Sequence, residues 1–117
     1  MSDSDAATVR ELEAVIAEVA TGLWRLTARL GDAPERDRRP VERLVEVLAD
    51  RGIRVHDPRD RPFHPGLPVE VVAYQPTPGI REETVIDVER PTVYRGASVL
   101  QRARVVVGVP DEEVGTA

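Results

Sequence analysis

The stretch TVRELEAVIAEVATGLWRLTARL, residues 8–30, decides the fold. Its apolar residues Val9, Leu12, Ile16, Val19, Leu23, Leu26 and Leu30 recur at spacings that alternate between three and four, an unbroken a/d series over about three heptads. Such a period puts all seven side chains along one stripe of a helix. Thr8 followed by Glu11 reads as a capping box just ahead of the series, and Gly31 with Pro34 supplies the stop. The stretch therefore predicts one helix over 8–30. Val15 and Ala20 flank the seam, where a two-stranded zipper prefers charges, so the apolar stripe is broader than a zipper needs and a helical bundle suits it better.

Downstream, Pro40 is suited to a first helical position, and Val41, Leu44, Val45 and Leu48 continue a helical period up to Gly52. Gly52 just past the helix end, with Ile53 after it, predicts a left-handed stop in which Ile53 packs back on Leu48. The two helices form a hairpin. One hairpin cannot enclose a core, but two from two chains make a four-helix bundle, so residues 1–52 are expected to be a helical dimerisation segment.

From Ile53 the chain changes character. Short β-branched runs at Val69 to Tyr74, Thr84 to Val88 and Val105 to Val109 alternate with connections rich in proline, at Pro58, Pro62, Pro65, Pro68, Pro76 and Pro78. This predicts a small antiparallel β-domain over 53–110, followed by an acidic tail at 111–117. The fold class expected is α+β.

Composition narrows the function. With 117 residues and aromatics at only 3%, any core must be thin and built from Val, Leu, Ile and Ala, which favours burial against a second copy. The absence of cysteine removes disulfides, thiolate metal sites and cysteine nucleophiles. The net charge of −5 is spread over both halves, and the one basic cluster, Arg36, Arg38, Arg39 and Arg43, is interleaved with Glu35, Asp37 and Glu42. That is a solvated helix start with local ion pairs, not a nucleic-acid footprint. No signal peptide and no membrane span is visible, so a cytoplasmic protein is expected. His56, Asp57, Asp60 and His64 lie close together but match no standard ligand spacing, and they read as a surface loop without metal. No nucleophile elbow, phosphate-cradling loop or zincin helix is present. The expectation is a protein that is no enzyme, has no cofactor and takes no small-molecule substrate.

Five pieces of the second half, VLADRGIRVHDP, RPFHP, LPVEVV, EETVIDVERP and VYRGASVLQRARVVVGV, run in order from residue 47 to residue 109. In order, spacing and residue type they resemble the C-terminal domain of GrpE-type nucleotide exchange factors. That family's pattern is a helix ending at Gly, a proline-rich entry with Phe-Asp-Pro, a Thr-Val strand, and a closing hairpin followed by alternating Val. GrpE proteins also place a dimeric helical bundle just before this domain. The chain departs from the pattern at His64, which stands where Asp is usual, and in a closing hairpin one residue shorter. A shortened, divergent member is implied.

The resemblance implies a co-chaperone of protein folding and the stress response. Its β-domain would open the nucleotide cleft of a DnaK-type chaperone ATPase and release ADP. It further implies that Tyr94, Arg95 and Gly96 at the closing hairpin, with Arg104 and Val107 on the closing strand, meet the ATPase. Val9, Leu12, Ile16, Val19, Leu23, Leu26 and Leu30 would form the homodimer interface. The alternative is an adaptor dimer that binds a partner without exchanging nucleotide.

Overall fold

The computed structural model describes residues 2–111. Their elements are α1 (Asp3–Leu30), α2 (Glu35–Asp50), β1 (Ile53–His56), β2 (Val69–Thr77), β3 (Thr84–Arg90), β4 (Thr92–Arg95), β5 (Ser98–Gln101) and β6 (Ala103–Pro110). The α+β class expected from the sequence is present. None of the described helices is long and apolar enough to cross a membrane.

The first helix begins earlier than its heptad predicts. Ser2 caps it: the Ser2 hydroxyl accepts from the Asp5 N–H at 3.2 Å, and the Asp5 carboxylate accepts from the Ser2 N–H at 3.4 Å. The capping box is thus Ser2 with Asp5, while Thr8 sits one turn inside and donates its hydroxyl to the Ser4 carbonyl at 3.0 Å. At the other end the Gly31 N–H donates to Thr27 O, with φ +46 at Gly31, so the stop falls where the sequence placed it.

The second helix also starts earlier, after Pro34, whose carbonyl accepts from the N–H groups of Asp37 and Arg38 at 2.9 and 3.2 Å. Pro40 therefore lies inside α2 rather than in its first position. Lacking an N–H, it leaves the carbonyl of Arg36 without the usual helical donor. The exit is as expected: Gly52 has φ +80, its N–H donates to Ala49 O at 2.9 Å, and Ile53 shares a buried cluster with Leu48.

The chain divides into two compact units, and the division does not fall at residue 52. One unit is Met1–Val55 with Val93–Gln101, and the other is His56–Thr92 with Arg102–Ala117. In the first, the core is Ala17, Ala20, Ile53 and Val93, with Ile16, Leu48 and Leu100 packed against it. Small alanines on α1 let the helix approach the β-hairpin of β4 and β5 closely, and Gln101 Nε2 donates to the Thr21 hydroxyl at 2.8 Å. The three-stranded sheet here has the order β1-β4-β5.

The second unit contains a sheet of order β2-β6-β3. Strand β6, ARVVVGVP, takes the middle, and flanked on both sides it has Ala103, Val105, Val107 and Gly108 buried. It pairs antiparallel with β3 but parallel with β2, so the expected all-antiparallel β-domain is corrected to a mixed sheet. A long connection, β3 through β5, separates β2 from β6 and makes the parallel pairing possible. Val69, Val85 and Val88 complete the core. Gly108 is required at its place: a Cβ there would lie 2.7 Å from Ile86 Cγ2 and 2.8 Å from Thr77 Oγ1. The expected acidic tail, beyond Asp111, lies outside the described residues.

Candidate functional site

Two surfaces were singled out by the sequence, the heptad stripe of α1 and the closing hairpin with its strand. On α1 the core-facing side is Ala17, Ala20, Thr21 and Leu23. Apart from Leu23, and from Ile16 packed at its border, the heptad residues stand off to one side of it. Of the seven, only Leu23 is buried and Ile16 and Leu30 are half-buried, whereas Val9, Leu12, Val19 and Leu26 are exposed. Leu12 is 58% and Val19 52% exposed, values of surface residues, though both are large and apolar. From residue 9 to residue 26 the stripe runs about 26 Å at 1.5 Å per residue. Val15 on α1 and Leu44, Val45 and Val47 on α2 extend the apolar exposure. Of these, Leu44 and Val45 belong to the helical period read from the sequence, and Val47 lies outside it. An apolar stripe of this length, bordered by charged residues, is the ordinary mark of an association surface.

At the closing hairpin, Tyr94 is half-buried and Arg95 and Gly96 are exposed. Gly96 has φ +58, a conformation that favours glycine, and its N–H donates to the Gly52 carbonyl at 2.9 Å. The tip is thereby anchored to the end of α2. Arg95 leans toward α1, with its guanidinium 3.6 Å from Glu13 Oε2 and its side chain 57% exposed. At that exposure the ion pair holds the side chain only loosely.

The strand residues behave differently. Arg104 is half-buried between Glu70 and Glu89, 3.8 and 3.9 Å from their carboxylates, and its buried Nε has no hydrogen bond. Val107 is fully buried at 0% exposure, so the expectation that it meets a partner is overturned. Alternation decides this: Val105 and Val107 share the inward face of β6, and Arg104 and Val106 the other. The structure thus brings Tyr94, Arg95 and Gly96 together in one unit and places Arg104 and Val107 in the other.

The His56–His64 loop engages its polar groups locally. Asp57 Oδ1 accepts from the Arg59 N–H at 2.9 Å, and His64 Nδ1 accepts from the Gly66 N–H at 3.2 Å. Among the described residues no three His, Cys, Asp or Glu side chains are grouped to hold a metal ion. A feature missed in the sequence is the exposed Tyr74 on β2, edge-to-face with Phe63 at 6.5 Å between ring centroids. Its only signal was an aromatic residue at the end of a β-branched run.

These surfaces define an α+β chain with an uncovered apolar helix face and an exposed arginine-bearing hairpin tip. No family model matches the chain, and no curated protein matches it.

Proposed function

We propose that the chain is a homodimeric co-chaperone of the cytoplasm, a divergent GrpE-type nucleotide exchange factor that promotes ADP release from a DnaK-type chaperone ATPase. The observation that carries this reading is the uncovered stripe Val9, Leu12, Val19 and Leu26, on a helical hairpin that leads directly into the segment with the five GrpE-like pieces. The helices of two chains close on each other through the stripe and form a four-helix bundle. The hairpin tip, Tyr94, Arg95 and Gly96, is the contact with the ATPase.

Exchange on this reading is differential affinity. The factor binds the open form of the ATPase more tightly than the closed form and so shifts the population toward release. Reciprocally, nucleotide bound tightly in the closed form weakens the factor by the same ratio. No covalent chemistry and no cofactor enter.

The test is release of a fluorescent ADP analogue from a DnaK-type ATPase, with excess ATP to block rebinding. The unaltered chain is expected to accelerate release. Arg95→Ala, which removes an exposed anchor, is expected to slow that stimulated release by about tenfold at sub-saturating factor, the equivalent of about 1.4 kcal/mol in the complex. Circular dichroism and dimer mass should not change. Binding to the ATPase with release left at its spontaneous rate would replace exchange by the adaptor function.

A further inference from the structure

Helix α1 has a second functional-looking face. Arg10, Glu13 and Ala14 line one wall of an open groove of about 410 Å³, and Ser98, Val99 and Leu100 of β5 line the other. The volume is within the range of about 300–1,000 Å³ typical of ligand clefts. Arg10, Ala14, Ala17 and Thr21 follow one another at helical spacing along the side of α1 that packs toward the sheet. The exposed apolar stripe lies on a different side, so self-association through Leu12 and Val19 leaves the groove open.

Two properties say what the groove would take. The first is backbone. Strand β5 is an outer strand of its sheet, and among the described residues Ser98, Val99 and Leu100 make no backbone hydrogen bond beyond their pairing with β4. The register shift opposite Val93 and Tyr94 makes Leu100 an extra residue, packed against the core, and leaves Ser98 and exposed Val99 as the accessible edge. An edge of this kind is completed by an extended polypeptide, whose own N–H and C=O groups match it.

The second property is charge. Arg10 is exposed, and its helical neighbours three and four positions away are Ala6, Ala7, Glu13 and Ala14. Glu13 is the one acid among them, and it pairs with Arg95. Among the described residues Arg10 has no ion-pair partner, so the groove offers one uncommitted guanidinium beside a strand edge. A guanidinium selects a carboxylate, which it can grip through two parallel hydrogen bonds. One arginine with a glutamate beside it is not the row of cations that a nucleic-acid backbone needs.

We propose that this groove receives an extended segment of a partner protein, added to the edge of β5, with an acidic side chain of that segment meeting Arg10. The function is separate from nucleotide exchange and does not use the helix stripe, and it touches the hairpin tip only through Glu13, the ion-pair partner of Arg95.

The experiment is fluorescence anisotropy of the full chain with a short labelled peptide of alternating Val and Thr carrying one central Glu. Two control peptides carry Lys in place of the Glu, or the Glu with an N-methylated backbone that cannot pair with a strand. The Glu peptide is expected to bind saturably, and both controls at least about tenfold more weakly. Arg10→Glu, an exposed change that circular dichroism should show to be folded, is expected to reverse the preference in favour of the Lys peptide. Ala14→Trp, which fills the groove without altering charge, should weaken the Glu peptide in the same way. Absence of saturable binding by the Glu peptide, equal binding of all three peptides, or an unchanged preference in Arg10→Glu would each overturn the proposal.

Discussion

In the unit His56–Thr92 with Arg102–Ala117, Val85, Val105 and Val107 are wholly withdrawn from solvent and Val69 and Val88 nearly so, around a strand held on both sides. In the unit Met1–Val55 with Val93–Gln101, the core is two alanines, an isoleucine and a valine, while Leu12, Val15, Val19, Leu26, Leu44 and Val47 remain at least 45% exposed. Among the described residues the helical unit has more Val, Leu and Ile to bury than the β unit. The β unit buries its central valines within itself and the helical unit leaves much of its aliphatic side chain exposed, which teaches that a β-sheet with a central valine strand completes its core alone, whereas this helical hairpin presents a second apolar side left uncovered.

The comparison breaks most visibly at the stripe. Leu12→Asp with Val19→Asp alters residues that contribute little to the protomer core, yet in a bundle each would bury an unpaired charge at a cost of several kcal/mol. The double variant is expected to be monomeric and less helical by circular dichroism. Ile16 and Leu23 are poorer choices, because Ile16 packs on the inner cluster and Leu23 is buried, so their loss would mix protomer damage with dissociation.

The next effect belongs to the β unit. Gly108→Ala forces a methyl against Ile86 and Thr77 and is expected to lower stability in urea by about 1–3 kcal/mol. Val105→Ala should cost about 2 kcal/mol by opening a cavity in the central strand. Neither change should affect the subunit association measured at low urea. The smallest effect is at the hairpin tip: Glu13→Gln removes the partner of Arg95, and since that guanidinium is more than half exposed, stability should fall by less than about 1 kcal/mol.

Much of this arrangement is legible in the residues. The a/d stripe, the stop at Gly31, the Gly52 exit with its Ile53–Leu48 contact and three of the six strands among the described residues follow from period and turn chemistry alone. The helix starts do not, because a short side chain that can cap a helix can also ride inside one. Thr8 bonds back to Ser4 within α1, and Asp5 serves in the capping box where Glu is the usual signal. Pro40 misled for a similar reason, since a proline placed where its missing N–H is harmless is the common case but not a rule. The parallel pairing of β2 with β6 was hidden because alternation along a strand carries no information on the direction of its neighbour. Val107 shows the limit for site residues. The run Val105, Val106, Val107 alternates inward and outward, and its phase is set by packing that no local pattern states.

The claim on which the rest depends is that the exposed stripe of α1 is covered by a second copy, and sedimentation velocity of the unaltered chain at tens of micromolar tests it directly. A single species at twice the 12.9 kDa chain mass, converted to the chain mass by Leu12→Asp with Val19→Asp, is the expected result. A unaltered chain that sediments as a monomer at that concentration, or a dimer that survives both substitutions, would contradict it.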